Sequence, residues 1–232
     1  MNVHIITLFP QMFPGSLGYS LIGKAIAKGL VKLHVHDLKT LAKRVDDAPI
    51  GGGAGMLIKA EVVDRAIIEF KLEHTYKIFT SPRGFRFNQA LAKVWSGLNQ
   101  DIVILCGRYE GVDQRVLDKW KFNEISMGDF VLCGGEVAAM AMMEATIRLI
   151  EGVLGNDESA IFDSHSEIGY LEHNQYTQPA VWQGRSVPDV LLTGNHKKIQ
   201  AYRNVNSLLI AKGLDETVES EVLYVLDLEG KV

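Results

Sequence analysis

The chain has 232 residues, of which 47% are hydrophobic, and 24 Lys and Arg oppose 28 Asp and Glu. A chain of this length can bury a large core without covalent cross-links, and its two cysteines, Cys106 and Cys133, cannot form a disulfide framework. The formal net charge of −4 argues against a nucleic-acid partner, because such proteins usually carry a basic surface. A net charge is a sum, however, and does not describe how the charges are distributed.

Nothing in the sequence predicts a membrane or secreted protein. The apolar start, residues 1–10, lacks the basic region and the small-residue cleavage site of a signal peptide. No run reaches the roughly 20 apolar residues that a membrane span needs. Two cysteines outside any CxxC or Cys/His pattern predict no metal site and suit a reducing compartment. We therefore expect a cytoplasmic protein with no membrane contact.

The first 150 residues alternate short β-branched runs with amphipathic stretches. The runs predict strands at 3–9, 31–36, 76–80, 101–105, 122–126 and 130–133. The amphipathic stretches predict helices at 20–29, 59–71, 88–98, 112–119 and 136–150, the first capped by Ser20 and ended by Gly29. This alternation predicts an α/β fold with a mainly parallel sheet and helices on both faces.

Ligands of such folds bind at the carboxyl ends of the strands, and the sequence places a group of glycines there: Gly84, Gly107, Gly111, Gly128, Gly134 and Gly135. The run 51–55 is also glycine-rich, but it matches neither a P-loop nor G-x-G-x-x-G. Glycine loops of this kind can bring bare backbone against an adenine or a ribose. Ordinary tight turns are the alternative for any one of them.

After residue 150 the pattern changes. Residues 152–170 mix Gly, Asn, Asp, Ser and Glu and predict a linker or mobile loop. Helices are predicted again at 196–204, 205–211 and 216–226. We therefore divide the chain into a domain at 1–159, a mobile linker at 160–172 and a small helical domain at 173–232.

The net charge conceals one basic segment. Residues 1–159 are balanced, whereas 160–172 carry −3, 173–212 carry +4 and 213–232 carry −5. The basic segment also contains aromatic residues: His173, Tyr176, Trp182, His196 and Tyr202. Basic residues interleaved with aromatic residues suit phosphate contact and base stacking, although a solvated helix face is the simpler interpretation on charge alone.

A series of motifs in chain order carries a resemblance to a known family. The motifs are ITLFP (6–10), VDD (45–47), GGGAGM (51–56), SPRG (81–84), CGRYEGVDQRV (106–116), SMGDFVLCGGE (126–136), GVLG (152–155), DS (163–164), YTQP (176–179) and VLLTGNH (190–196). The chain resembles the bacterial tRNA (guanine-N1)-methyltransferases of the TrmD family. That family belongs to the SPOUT class of knotted methyltransferases that use S-adenosylmethionine. Ala54 and Ala138 stand where the family usually has proline.

The resemblance implies features that periodicity does not reveal. It implies a deep trefoil knot formed by about residues 106–136, although true knots are rare. It implies a homodimer whose active sites are each built from two chains. It also implies that the domain at 1–159 binds the cofactor and that the domain at 173–232 binds tRNA. Family members use Mg²⁺ for the transfer step, but the sequence displays no dedicated ligand set.

The implied reaction transfers a methyl group to N1 of the guanosine at tRNA position 37, 3′ of the anticodon. By resemblance, Asp163 is the general base and Arg148 stabilises charge on O6. The same resemblance assigns the cofactor site to Phe79, Thr80, Ser81, Pro82, Gly107, Tyr109, Glu110, Gly111, Ser126, Met127, Gly128, Asp129, Phe130, Val131, Leu132, Gly134 and Gly135. Glu110 is the acid expected to face the positive end of the cofactor.

The tRNA is expected to contact residues of both domains. By resemblance, Asp46, Gly55 and Leu154 hold the flipped guanine. Lys197, Lys198 and Arg203 belong to the basic segment that would contact the backbone of the RNA. No DNA partner is expected. The alternatives are an RNA-binding module without catalysis, a methyltransferase for another RNA guanosine, and an α/β enzyme that uses another nucleotide; the last lacks the phosphate loop it would need.

Overall fold

The computed structural model describes residues 1–155, 163–166 and 171–213. The chain divides into two compact units, Met1–Asp157 and Glu158–Val232. The helix predicted at 216–226 and most of the predicted linker lie outside the described residues. None of the helices in the described ranges is long and apolar enough to cross a membrane.

The first unit is built on a five-stranded sheet that consists of β1 (Asn2–Thr7), β2 (Lys32–Asp37), β5 (Tyr76–Arg86), β6 (Ile102–Cys106) and β7 (Asn123–Ser126). Across the sheet the strand order is β2-β1-β6-β5-β7. Every pairing in this sheet is parallel. The short strands β3 (Asp46–Asp47) and β4 (Leu57–Ile58) pair antiparallel outside it. The mainly parallel sheet predicted from the sequence is therefore confirmed.

Helices cover both faces of this sheet. They are α1 (Ser20–Ala27), α2 (Ala60–Glu69), α3 (Gln89–Ser96), α4 (Gln114–Trp120) and α5 (Glu136–Ile147). Apolar residues of α1, α3 and α5 form one core cluster with Ile104, and those of α2 and α4 form a second cluster with Leu105. Because successive strand residues point to opposite faces, the two clusters lie on opposite sides of the sheet. All of β6 is buried, as expected for its central position.

Several local predictions are wrong. No strand forms at 130–133, where Val131 is 82% exposed; glycines at 128 and 134 bound this segment, and its apolar side chains line a cavity instead. Strand β5 continues beyond its predicted end to Arg86, through a register shift between Thr80 and Phe85 that accommodates a proline. Such irregularities depend on the neighbouring strand and have no local signature.

The first helix also starts differently from the prediction. Ser20 is its first residue and has a positive φ of 53°, while Tyr19 occupies the cap position without a side-chain bond. The prediction for its end is confirmed, because Gly29 has a φ of 74° and the Leu30 N–H donates to the Ala25 carbonyl at 3.0 Å. This is the left-handed glycine stop that commonly ends helices.

The described part of the second unit contains a hairpin and two helices. The hairpin pairs Val181–Trp182 with Arg185–Ser186, and a short helix follows at Asp189–Leu192. The long helix His196–Lys212 is continuous, so the break predicted at residue 204 is absent. Asn195 caps this helix, since its side chain accepts a hydrogen bond from the Lys198 N–H at 3.2 Å. Its buried residues include Tyr202, which is therefore unavailable for base stacking.

A buried acid ties together three distant parts of the first unit. Glu136, the first residue of α5, is completely buried. Its Oε1 accepts hydrogen bonds from Thr7 Oγ1 at 2.7 Å and from Arg108 Nε at 3.1 Å. Its Oε2 lies 2.8 Å from Arg108 Nη2 as an ion pair, without hydrogen-bond geometry. The guanidinium is also 4.4 Å from the centre of the Phe9 ring. We call Thr7, Arg108 and Glu136 the acid network.

Three histidines stack beside the sheet on β1 and β2. His4 Nδ1 lies 3.0 Å from His36 Nε2, and the His4 ring stacks on His34 with 4.6 Å between centres. His36 in turn stacks on Phe70 at 4.2 Å. Burial, followed by the charges of His4 and His34, lowers the pKa of His36 to about 4. His34 and His36 are thus held in packing contacts within the first unit. Among the residues that the structure describes, no group of His, Cys, Asp and Glu is placed to hold a metal.

The acid network leads to a stability prediction. Glu136→Gln keeps the side-chain volume but leaves the Arg108 charge without its counter-charge. We expect the free energy of unfolding to fall by about 3 kcal/mol in urea titrations, at the lower end of losses for broken buried pairs because Arg108 retains some water contact. Glu144→Gln, on the exposed side of the same helix, should change stability by less than about 0.5 kcal/mol. Equal losses in the two variants would contradict this account.

The histidine stack predicts acid sensitivity. Between the ordinary histidine pKa of 6.5 and the native value of about 4, the unfolded chain binds a proton at His36 that the native protein does not. The free energy of unfolding should therefore fall as the pH drops through this window, and this contribution should level off below pH 4. His36→Phe should make the pH dependence shallower, whereas His74→Gln, at an exposed histidine, should not. Unfolding curves at several pH values measure both.

Candidate functional site

A cavity of about 550 Å³ opens at the carboxyl ends of β5, β6 and β7. This volume is within the range of about 300–1,000 Å³ that is common for small-molecule sites. Residues 79–83 of β5 and the segments that follow β6 and β7 form most of its walls. The lining residues are Leu57, 79–83, 107–112, Gln114, 125–127, 130–135 and Ala138. The position is the one at which open parallel sheets bind ligands.

The structure brings almost all of the predicted cofactor residues together around this cavity. The exceptions are Gly128 and Asp129, which do not line it. Asp129 forms an ion pair with Arg86, and the Gly128 carbonyl accepts hydrogen bonds from Ser126 Oγ at 3.0 Å and from the Phe130 N–H at 2.9 Å. These two residues therefore hold the conformation of the loop that follows β7, without lining the cavity.

Other lining residues were missed by the sequence reasoning. They are Leu57, Arg83, Arg108, Val112, Gln114, Ile125, Cys133 and Ala138. Arg108 and Cys133 stand inside the quoted motifs, so their positions beside the predicted residues were an available signal. Leu57 comes from β4, on the far side of the glycine-rich run, and only the tertiary fold brings it to the cavity. Cys133 is exposed, whereas burial raises the pKa of the Cys106 thiol well above its ordinary value.

Close backbone packing joins the walls of the cavity. The Gly135 N–H donates to the Gly107 carbonyl at 2.8 Å, and the Gly107 N–H donates to Thr80 Oγ1 at 3.1 Å. A Cβ at Gly135 would overlap Thr80 Oγ1 and lie 2.8 Å from the Gly107 nitrogen. A Cβ at Gly134 would overlap the Arg108 guanidinium. Only glycine fits at position 135, and a side chain at position 134 would have to displace the Arg108 guanidinium, so the cavity wall is bare backbone there.

An ion-pair cluster stands at the rim of the cavity. Arg83 donates to the two oxygens of Glu124 at 2.9 and 2.8 Å and to Gln114 Oε1 at 2.6 Å. The hydrogen bond to Glu124 raises the pKa of Arg83, and the same bond lowers the pKa of Glu124. The cluster connects β5, β7 and α4, which hold the rim in place from three sides.

The glycine-rich run lies against one wall of the cavity. The Glu110 N–H donates to the Met56 carbonyl at 3.0 Å, and the Ile58 N–H donates to the Gly111 carbonyl at 2.9 Å. A Cβ at Gly55 would lie 2.6 Å from Glu110 Oε1, so the acid packs directly on that glycine. The predicted substrate residue Gly55 therefore contacts the predicted cofactor residue Glu110.

Asp46 makes a second link between the two predicted sites. Partial desolvation, followed by the charge of Asp46, raises the pKa of the Tyr109 phenol. Leu154, by contrast, lies half-buried in the turns after α5 and does not line the cavity.

The two predicted catalytic residues belong to different units. Arg148 is the half-buried residue at the carboxyl end of α5 in the first unit. Asp163 lies in the second unit, where its carbonyl accepts a hydrogen bond from the Ser166 N–H at 3.0 Å. The next residue, Ser164, accepts a hydrogen bond at its Oγ from the Glu172 N–H at 3.0 Å. Asp163 therefore sits in a short turn held to the segment at 171–173.

The predicted basic contacts lie on the long helix of the second unit. Lys197, Lys198 and Arg203 are all exposed on His196–Lys212. Exposed Lys and Arg side chains are available for phosphate contact, whereas Tyr202 on the same helix packs inward. The helix thus carries exposed cationic side chains together with buried residues that pack against its own unit.

Comparison with known proteins agrees with the resemblance. A family model described as tRNA (Guanine-1)-methyltransferase TrmD matches residues 1–213. The tRNA (guanine-N(1)-)-methyltransferase of Ehrlichia canis (strain Jake) is 45% identical over 232 residues, covering 96% of this chain and 98% of the relative. The protein of the same name from Roseobacter denitrificans (strain ATCC 33942 / OCh 114) is 48% identical over 213 residues, covering 89% of this chain and 88% of the relative. The chain therefore belongs to the tRNA (guanine-1)-methyltransferase TrmD family.

Proposed function

We propose that this protein transfers a methyl group from S-adenosylmethionine to N1 of the guanosine at position 37 of tRNA, 3′ of the anticodon. The observation that carries the proposal is the cavity at the carboxyl ends of β5, β6 and β7, with its bare glycine walls. The names of the relatives support the class of reaction, since they are tRNA (guanine-N(1)-)-methyltransferases.

The residues of the cavity fit this cofactor. Apolar side chains such as Leu57, Ile125 and Leu132 suit an adenine ring, and the glycine backbone offers N–H and C=O groups to its edges. The Glu110 carboxylate supplies a negative charge for the cationic portion. When bound, the cofactor provides a methyl group activated by a sulfonium. The protein has to bind it, exclude water and hold the accepting base in line.

The chemistry at guanine requires a base and a cation. N1 of neutral guanine carries a proton, which must leave before or during the attack on the methyl group. In this proposal the Asp163 carboxylate accepts that proton. Negative charge then develops towards O6, where the Arg148 guanidinium stabilises it. N1 is otherwise stacked within the anticodon loop, so the base has to flip out, and Asp46, Gly55 and Leu154 would hold it beside the cavity.

The proposal includes a homodimer in which each active site is shared between two chains. Asp163 and the cavity belong to different units, which is compatible with a catalytic base supplied by the partner. It also includes a trefoil knot, which requires the chain before α5 to pack against the chain after β6, as the hydrogen bond from the Gly135 N–H to the Gly107 carbonyl does. Mg²⁺ would act without a dedicated protein site, and the reaction would take place in the cytoplasm on tRNA rather than on DNA.

The direct test is methyl transfer from radiolabelled S-adenosylmethionine to anticodon stem-loops. Label should appear on a loop with G at position 37 and be lost when that base becomes A. Binding of the RNA without label transfer would favour a non-catalytic RNA-binding module. Label that persists on the loop with A at position 37 would favour a methyltransferase for another RNA guanosine.

The role of Asp163 makes a separate prediction. Asp163→Asn keeps the size of the side chain but removes its ability to accept the N1 proton. We expect turnover to fall by about 10²- to 10⁴-fold while cofactor affinity stays within twofold, because the cavity is untouched. Asp189→Asn, in the same unit, is the control and should retain wild-type turnover. Methyl transfer at a near wild-type rate by the Asp163→Asn variant would show that Asp163 is not the general base.

The exposed lysines of the long helix predict a change in salt dependence. If Lys197 and Lys198 neutralise phosphates, Lys197→Ala combined with Lys198→Ala should weaken tRNA binding. The slope of log affinity against log salt should fall by about 1 to 2, because fewer counterions are released. Lys93→Ala, at an exposed lysine of α3, should leave the slope unchanged. An unchanged slope in the double variant would indicate that these lysines belong to a solvated helix face and do not contact phosphates.

A further inference from the structure

The hairpin of the second unit exposes all of its side chains. Residues 181–186 are all exposed, and the Trp182 residue is 59% accessible to solvent. Gln183 and Gly184 connect the strands with φ values of 49° and 78°, which is typical of a tight type I′ turn. Such a turn fixes the register of the two strands, so the directions of their side chains are defined.

The pairing register of the two strands places one aromatic side chain and one cationic side chain on the same face of the hairpin. Trp182 pairs directly with Arg185, and Val181 pairs with Ser186. Side chains of directly opposed residues project from the same side of a hairpin, and successive residues project from opposite sides. We call Trp182 and Arg185 the stacking face. Val181, which is 58% exposed, belongs to the opposite face and provides a matched comparison.

The surroundings of the hairpin select the kind of partner. A single exposed apolar residue is ordinary on a protein surface. Here, however, the large aromatic residue is paired across the hairpin with an arginine, in the segment 173–212 where Lys and Arg exceed Asp and Glu by four. The combination of an aromatic platform with positive charge is the one that binds unpaired nucleobases, by stacking on the base and by attraction to the adjacent phosphate.

We infer that the stacking face binds an unpaired nucleobase of the RNA substrate, with the Trp182 indole against the base and the Arg185 guanidinium near its phosphate. This inference rests on the proposed function, because it takes tRNA as the partner. It adds a contact that the motifs did not identify and that is distinct from the phosphate contacts of the long helix. An interface with a second protein would instead use the hairpin for association between chains, and the experiment below separates the two.

The experiment measures the affinity of the full-length protein for an anticodon stem-loop RNA by fluorescence anisotropy at several KCl concentrations. Trp182→Ala should weaken binding by about 5- to 150-fold, the loss typical for removal of one base-stacking aromatic side chain. The slope of log affinity against log salt should not change, because the indole releases no counterions. Trp182→Phe should recover most of the affinity, and Val181→Ala should bind as the wild type does.

A second measurement locates the contact. The chain has three tryptophans, and Trp182→Phe removes only the one on the stacking face. Quenching of tryptophan fluorescence on RNA addition should therefore be largely lost in this variant, while RNA is still bound. Sedimentation should report the same oligomeric state for the wild type and for Trp182→Ala.

Three outcomes would overturn the inference. They are wild-type affinity in Trp182→Ala, quenching that persists in Trp182→Phe, and a shift of Trp182→Ala towards smaller assemblies, which would assign the hairpin to a protein interface. Failure of the proposed function is recognised separately, because wild-type protein would then transfer no label. If RNA binding by the wild type still depends on Trp182 in that case, the inference about the stacking face stands although the proposed function does not.

Discussion

The buried charge of Glu136 is the constraint on which the first unit depends. A carboxylate with no exposure to water is costly unless it is paired and hydrogen-bonded, and Thr7 and Arg108 together meet that requirement. Thr7 ends β1, Arg108 follows β6, and Glu136 begins α5. The acid network therefore holds together the end of the sheet, the loop after its central strand and the helix that covers one face. These are the elements around which the ligand cavity is built.

The acid network also explains the chemical character of the cavity. Arg108 lines it, yet its charge is already paired with Glu136, and the chain at Gly134 passes against its guanidinium. The walls are consequently backbone and apolar surface rather than free positive charge. Such a surface suits a nucleoside better than a pyrophosphate, which agrees with the absence of a phosphate-loop motif in the sequence. The hydrogen bond from Glu110 to the Met56 carbonyl and the packing of Glu110 on Gly55 connect this cavity with the segment proposed to hold the substrate base.

The second unit has a different physical character. Its long helix buries Tyr202 and its neighbours and leaves Lys197, Lys198 and Arg203 exposed. The overall charge of −4 conceals this surface, because the acidic segments on either side outweigh it in the sum. A localised basic surface is sufficient for phosphate contact, since exposed charges act over about a Debye length rather than through the net charge. The net charge therefore does not exclude a nucleic-acid partner, because it is a sum and the basic surface is local.

The sequence by itself determined the mainly parallel sheet with its helices, because apolar periodicity, β-branched runs and glycine stops such as Gly29 act over a few residues. It also identified most residues of the cavity, because their motifs follow directly after strands whose carboxyl ends share one edge. Only the tertiary structure decided the rest. Thr7 and Glu136 are 129 residues apart, and Leu57 reaches the cavity from another segment, so neither contact has a local pattern. Residues 130–133 have the composition of a strand but find no strand to pair with, and they line a ligand cavity because pairing and burial are settled by neighbours that are distant in the chain.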